Sequence, residues 1–193
     1  MAEHFSFTKH LRTIVKPVLA AKGFTTKNTK FTRPRDTYAE LIYVQRSMWN
    51  HLSPPYKFYL NLQLISDSIP IHSGGGRFDR PTNLAFPAHY QTFFSNELTN
   101  EERNRLMKSF TFEEKSEIED YNSSRRWEYS TEDELISQLH LLRNTLEMCA
   151  DKIFDALGRS YDSDPNNFGN NCWNIVNSQY FSLLPPESRW TID

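Results

Sequence analysis

Apolar residues recur every three or four positions near the N-terminus, which predicts a helix over residues 5–22. Gly23 follows the last apolar position and predicts the end of this helix, because a residue in the left-handed conformation commonly follows a helix C-terminus. Pro17 lacks a backbone donor, so we expect the helix to bend or split near Thr13. Its apolar face consists of Phe7, Leu11, Ile14, Val15, Val18 and Leu19.

Three strand-like segments follow, at residues 24–33, 40–48 and 57–66. The first is polar and rich in Thr, which predicts an edge strand. In the third, apolar and polar residues alternate, and a period of two indicates a strand with one buried face. The short link between the second and third segments leaves no room for a crossover helix, so we expect antiparallel pairing. The apolar positions of the third segment are Phe58, Leu60, Leu62 and Leu64.

Residues 67–96 contain a glycine run at 74–76 and no sustained periodicity, which predicts a long, flexible loop. The run lacks the Gly-Lys-Ser/Thr ending of a phosphate-binding loop. A capping box at residues 99–102 predicts a short helix to about Phe110. Residues 113–120 are acidic and expected to be solvated, and residues 127–129 predict a brief strand.

The strongest helical pattern covers residues 131–157, with Gly158 as its expected end. The pattern as a whole predicts an α+β fold with a three- to four-stranded antiparallel sheet. One face of the sheet would be covered by the N-terminal helix and by the 131–157 helix. We expect residues 1–160 to form a single domain, and the aromatic residues of 161–193 to pack this extension onto it. These aromatic residues are Trp173, Tyr180, Phe181 and Trp190.

The aromatic content offsets a modest hydrophobic share of 38%, so a core can form without disulfides or metal ions. Cys149 and Cys172 form no CxxC pair, which favours reduced thiols and a cytoplasmic location. No apolar run approaches the ~20 residues of a membrane span. The N-terminus lacks the apolar stretch of a signal peptide. We therefore expect neither export nor membrane association.

Charge is distributed unevenly along the chain. Residues 1–60 contain ten Lys or Arg and three Asp or Glu, whereas the remainder contains twelve and twenty-one. This asymmetry can mark a partner surface, but we favour the alternative that the two parts face each other within the fold. A basic aromatic patch at residues 27–38 could follow a phosphate backbone, although charge on an edge strand also prevents aggregation. The net charge of −2 argues against a dedicated nucleic-acid binder.

The polar side of the predicted sheet is the best candidate for a binding surface. If the apolar positions of the third segment face the helices, its polar positions form an outer face, joined by polar positions of the second segment. Amides and phenols on rigid strands can bind a polar ligand without desolvating a charge, although an ordinary solvated face would look the same. Arg77 would contact an anion if the 67–96 loop closed over this face. The candidate binding residues are Tyr43, Gln45, Ser47, Tyr59, Asn61, Gln63, Arg77 and Trp127.

No catalytic constellation is evident. The six histidines form no HxH, HExxH or HxxxH pair, and there is no GxSxG elbow. Cys149 falls on the apolar face of a helix, where a thiol is not activated. The sequence therefore predicts no catalytic residue, no metal site and no cofactor.

A series of short motifs follows the N-terminal helix in a characteristic order. The motifs are Lys22-Gly23-Phe24, Phe31-Thr32-Arg33, Val44-Gln45-Arg46-Ser47, Phe58-Tyr59-Leu60-Asn61-Leu62, and Trp127 before a long amphipathic helix. Their order resembles that of the DUF4304 family, bacterial proteins of unknown function. The resemblance extends over residues 5–157 and implies this fold and a bacterial origin. Because the family has no assigned activity, it implies no catalytic residue.

These observations favour a non-enzymatic binding or interaction module of the immunity or accessory type, whose partner is an unknown protein or a small polar ligand. The alternative is an enzyme acting on a small polar or nucleotide-like substrate, in a cleft between the outer face and the 67–96 loop. A nucleic-acid partner ranks third.

Overall fold

The computed structural model describes residues 6–50, 53–67, 69, 74–82, 84, 99–165 and 168–183. These residues form two compact units. The first unit contains the described residues of 1–79 and 127–182. The second contains those of 80–126 and Leu183.

Two short helices open the first unit, α1 (Phe7–Ile14) and α2 (Lys16–Ala21). Pro17 lies in the first turn of α2, so the predicted helix is split as expected, but at Val15 rather than Thr13. Gly23 follows α2 with a φ of 86°, which confirms the predicted helix end. The buried side chains of this segment include Phe7, Leu11, Val15 and Leu19.

An antiparallel sheet of six strands forms the centre of the first unit. The first five strands are adjacent in chain order, and β6 pairs with β4 beyond the end of β5. The predicted α+β class and antiparallel pairing are therefore confirmed. The strands are β1 (Thr25–Lys27), β2 (Lys30–Pro34), β3 (Ala39–Arg46), β4 (Tyr56–Ile65), β5 (Gly75–Phe78) and β6 (Trp127–Tyr129).

The prediction of three or four strands was too low for two reasons. The sequence predicts one edge strand over residues 24–33, but Asn28 adopts a φ of 57° and turns the chain into a hairpin. The sequence predicts a loop at the glycine run, but this run forms β5 against β4. A Cβ at position 75 would overlap the carbonyl oxygen of Leu62, so glycine here allows the two backbones to pair closely.

The inner face of the sheet, defined by Phe58, Leu60, Leu62 and Leu64, is fully buried. Phe7 of α1 packs on Phe58 with ring centroids 5.5 Å apart. Helix α5 (Glu132–Ser163) contacts β4 and β6. The N-terminal helices and the long helix therefore cover this face, as predicted.

Helix α5 begins where the sequence predicted, since the Thr131 hydroxyl accepts a hydrogen bond from the Glu134 amide at 3.2 Å. It does not end at Gly158 but continues to Ser163. A Cβ at position 158 would overlap the hydroxyl of Tyr38, so this glycine permits a close approach rather than ending the helix.

Helix α6 (Phe168–Leu183) follows and buries Phe168, Cys172 and Val176. Trp190 lies outside the described residues, as do the side chains of Trp173, Tyr180 and Phe181, so their predicted packing stays a prediction. The division of the chain at residue 160 also stays a prediction. Within the described residues, every helix is too short or too polar to span a bilayer.

The second unit contains the helices α3 (Asn100–Ser109) and α4 (Phe112–Ser124), each opened by a capping box. The first box, Thr99 with Glu102, confirms the prediction. The acidic stretch at 113–120 is helical and buries Ile118 within α4, because Ile118 packs with Phe110 and Tyr121. Thr111 with Glu114 was the available sequence signal for this helix.

Candidate binding surface on the outer face of the sheet

The strand register brings five of the predicted residues together. Tyr43 lies opposite Asn61, and Gln45 lies opposite Tyr59. Gln63 lies two positions further along β4 and projects from the same side. Directly opposed residues of antiparallel strands share a face, so these side chains form one continuous surface. This surface, opposite the inner face, is the outer face predicted from the sequence.

Arg77 also belongs to the outer face, but as part of a strand rather than of a closing loop. It lies opposite Asn61 in the pairing of β5 with β4. Its guanidinium carbon lies 4.0 Å from the centroid of the Tyr59 ring. A guanidinium stacked in this way keeps its N–H donors at the edge of the ring, where a carboxylate can reach them.

Ser47 lies beyond the end of β3 and is a turn residue. Its hydroxyl accepts a hydrogen bond from the Trp49 amide at 3.3 Å, and its own amide donates to the Lys57 carbonyl at 2.9 Å. Ser47 therefore stabilises the start of the β3–β4 connection.

The predicted position of Trp127 on the outer face is wrong. Trp127 lies opposite Phe58, on the inner face, and is only 3% exposed. Its indole nitrogen donates to the Phe78 carbonyl at 3.1 Å. Tyr129 is buried on the same side. The available signal was the alternation of Trp127, Glu128 and Tyr129, which places both aromatic residues on the face opposite the charged one.

One row of side chains crosses the outer face perpendicular to the strands, and we call it the transverse row. The successive registers pair Lys27 with Lys30, Lys30 with Tyr43, Tyr43 with Asn61, and Asn61 with Arg77. The Lys30 ammonium lies 5.0 Å from the centroid of the Tyr43 ring. Neighbouring strands are about 4.8 Å apart, so the backbones of Lys30 and Arg77 are separated by roughly 14 Å.

The two lysines of the transverse row were not among the predicted site residues. The sequence predicts a single basic edge strand here, whereas the two lysines lie on the two strands of the β1–β2 hairpin. Asn28, a residue type that tolerates a positive φ, was the available signal for the turn.

The outer face has an excess of positive charge. Its described residues include four cations, Lys27, Lys30, Lys57 and Arg77, and one carboxylate, Glu128. Glu128 forms an ion pair with Lys57 at 2.9 Å. Within the described part of the chain, Lys30 and Arg77 form no ion pair with a carboxylate. The face is therefore suited to an anionic group, although the chain as a whole has a net charge of −2.

The amide groups of the outer face are largely available to a ligand. Asn61 donates from Nδ2 to the Tyr43 carbonyl at 3.3 Å, which fixes the orientation of its amide. The side chains of Gln45 and Gln63 make no hydrogen bond to any described residue. Gln45 is exposed, and Gln63 is partly exposed. Both can donate and accept hydrogen bonds with a polar group placed on the sheet.

A family model for a domain of unknown function, DUF4304, matches residues 15–126, which is more than half of the chain. The chain belongs to the DUF4304 family. The matched region is shorter than the 5–157 expected from the motifs, but it contains β1 to β5 and every candidate residue except Trp127. Comparisons with curated proteins and with solved structures gave no match.

The basic patch of this DUF4304 protein is divided between two environments. Lys27 and Lys30 lie on the outer face, whereas Arg33 and Arg35 both form ion pairs with Glu40, whose side chain is 1% exposed. The second guanidinium is 2.7 Å from this carboxylate. Two cations therefore compensate the burial of one charge, which is a structural role.

Lys22 and Arg33 also pair with an acidic residue late in the chain, which supports the internal explanation of the charge asymmetry. Lys22 lies 2.5 Å and Arg33 lies 3.0 Å from the carboxylate of Asp151 on α5. Burial alone would raise the pKa of Asp151, but the hydrogen bonds from Lys22 and Arg33 hold the pKa below its ordinary value. The cations left over from this pairing include those of the transverse row.

The two thiols of the chain are not activated as nucleophiles. Burial raises the pKa of both Cys149 and Cys172 to about 12, so both thiols are protonated at neutral pH. Within the described residues, no group of three His, Cys, Asp or Glu side chains could hold a metal ion. Residues 85–96 of the predicted 67–96 loop lie outside the described residues, so the substrate cleft of the alternative hypothesis stays a prediction.

Proposed function

We propose that this DUF4304 protein is a non-enzymatic binding module that docks a protein partner on the outer face of its sheet. The observation that carries the proposal is the strand register, which gathers Tyr43, Asn61 and Arg77 into one row on that face. Tyrosine and arginine are among the residue types that contribute most to protein–protein binding energy.

The outer face has the rigidity that binding requires. Tyr43 and Tyr59 lie on the two longest strands, whose opposite sides are fixed by buried residues such as Val44 and Leu60. Each tyrosine ring also contacts a cation. Ordered tyrosines lose little side-chain entropy when a partner binds, so more of their contact energy contributes to affinity.

We infer that the module acts in the bacterial cytoplasm as an accessory or immunity-type protein. The family resemblance supports the bacterial assignment. Free, buried cysteines support the location, because a reducing compartment keeps such thiols from forming disulfides.

The experiment is affinity capture from lysate of the native host with three forms of the protein. These are the wild type, the double variant Gln45→Ala/Asn61→Ala on the outer face, and Asn144→Ala as a matched control. Asn144 is exposed on α5, away from the sheet strands, so its truncation tests the general effect of losing an amide. The proposal predicts one stoichiometric protein that is captured by the wild type and the control and lost in the double variant.

Capture that is equal for all three forms would contradict the proposal, and so would the absence of any partner. Thermal unfolding of each variant separates a lost contact from a lost fold. The second readout is the side-chain amide NMR signals of Gln45, Asn61 and Gln63, which the captured partner should shift when it is added to the purified protein.

A further inference from the structure

We propose that the partner presents an acidic polypeptide segment, which lies across the strands along the transverse row with carboxylates on Lys30 and Arg77. This inference rests on the proposed function and adds the chemistry of the partner. It follows from charge complementarity between the outer face and the segment that binds it.

Within the described residues, no carboxylate pairs with the positive charges of the transverse row. Lys57, another cation of the outer face, already forms an ion pair with Glu128 at 2.9 Å. Lys30 and Arg77 contact tyrosine rings, at 5.0 Å and 4.0 Å, but no carboxylate of the described part of the chain. Ring contact holds each cation in place and leaves its N–H donors for a ligand.

The spacing of the row fits an extended polypeptide. The backbones of Lys30 and Arg77 are roughly 14 Å apart across three strand intervals. An extended chain advances about 3.4 Å per residue, so side chains four residues apart project from the same side roughly 13.5 Å apart. Two carboxylates at this separation therefore lie above the backbone positions of Lys30 and Arg77, and the side chain midway between them lies over Tyr43 and Asn61.

The composition of the face favours polypeptide over nucleic acid. Proteins that bind nucleic acid commonly neutralise about six to ten phosphates. The described outer face offers three cations that are not paired with a carboxylate, Lys27, Lys30 and Arg77. Its central groups are the amides of Gln45, Asn61 and Gln63, which match the donors and acceptors of a peptide backbone.

The test is fluorescence anisotropy of the full chain with a labelled, Thr-rich peptide that carries two Glu residues four positions apart. The reference peptide has Gln in place of both Glu residues, and a labelled thymidine oligonucleotide is the third probe. The inference predicts that the Glu peptide binds most tightly. Its affinity should also fall by at least about threefold between roughly 0.02 M and 0.15 M salt, because exposed charges are screened.

Substitutions on the outer face and on α5 test where the Glu peptide binds. Lys30→Gln and Arg77→Gln should each weaken binding of the Glu peptide by about two- to fivefold. Arg77→Lys keeps the charge but loses the planar donors, so we expect a smaller loss. Lys152→Gln removes the same charge from an exposed position on α5 and should leave the affinity unchanged.

Three results would overturn the inference. These are the absence of binding of the Glu peptide at about 1 mM, equal binding of the Gln peptide, and tighter binding of the oligonucleotide. None of them tests the proposed function, which is tested by whether a captured protein is lost in the Gln45→Ala/Asn61→Ala variant. If a captured partner binds equally well to Lys30→Gln and Arg77→Gln, the proposed function stands, but the inference that the partner presents an acidic segment is refuted.

Discussion

The hydroxyl of Tyr38 occupies the space into which a side chain at position 158 would project. Gly158 lies within helix α5, four residues after the buried Phe154. Glycine is unfavourable inside a helix by about 1 kcal/mol relative to alanine, so its presence here is explained by the approach of Tyr38. The helix continues past it to Tyr161, whose ring packs edge-on against Tyr38 at 5.6 Å.

We predict that Gly158→Ala and Tyr38→Phe are coupled. In the wild-type background, Gly158→Ala should lower the free energy of unfolding, because the new methyl group displaces Tyr38. In the Tyr38→Phe background the hydroxyl is gone and the nearest atom is the ring carbon, 3.3 Å from the new Cβ, so the same change should destabilise less than in the wild type. A double-mutant cycle by chemical denaturation measures the difference, and additive effects would contradict the close contact.

The buried carboxylate of Glu40 should be important for stability. Glu40→Gln removes the buried counter-charge of Arg33, which is 14% exposed and keeps only the partly exposed Asp151 as a carboxylate partner. We expect a loss of roughly 3 kcal/mol in the free energy of unfolding. The matched control is Lys57→Gln, which breaks the more exposed pair with Glu128 and should cost less than about 1 kcal/mol. Similar losses for the two variants would show that the Glu40 cluster is not a buried ion-pair network.

Asp151 should contribute a pH-dependent stability. Its pKa is lowered in the folded protein from an ordinary value of 3.8. The stabilisation from its ion pairs is therefore fully present above that value, and is lost as the pH falls through the folded pKa. The difference in unfolding free energy between wild type and Asp151→Asn should be constant near neutral pH and shrink below about pH 4. A difference that grows on acidification would have the opposite sign to this linkage.

The thiol of Cys149 should be unreactive in the native protein. Its pKa is raised to about 12 by burial, so a negligible fraction is thiolate at pH 8. Alkylation by iodoacetamide, followed by mass spectrometry, should label it slowly under native conditions and rapidly in denaturant. Cys149→Ser gives the background rate of labelling at Cys172. Rapid native labelling at Cys149 would indicate an accessible thiol and a different packing of α5.

The parts of the fold that the sequence predicts well depend on local, repeated signals. The alternation around Leu60 and Leu62 fixes the two faces of β4, and the pairing with β3 then places Tyr43, Gln45, Tyr59 and Asn61 on the outer face. Because each of these signals lies within a few residues along the chain, periodicity is enough to predict them.

The features of the fold that the sequence does not predict depend on contacts between residues that are far apart in sequence. Gly158 resembles a helix end until Tyr38, far away in sequence, is known to lie against it. Gly75 resembles a loop residue until β4 pairs with it. Tryptophan is a residue type common at binding surfaces, but Trp127 pairs with Phe58 and therefore lies on the inner face. The transverse row is also non-local, because it joins five strands whose order is not evident from any single segment.

The most direct test of the central claim is site-specific photo-crosslinking in the native host. A photoreactive residue at position 45 lies on the outer face, and one at position 144 lies on the exposed side of α5. A binding module that uses the outer face should give one discrete protein adduct from position 45 and none from position 144. No adduct from position 45, or the same adducts from both positions, would contradict a binding function for the outer face.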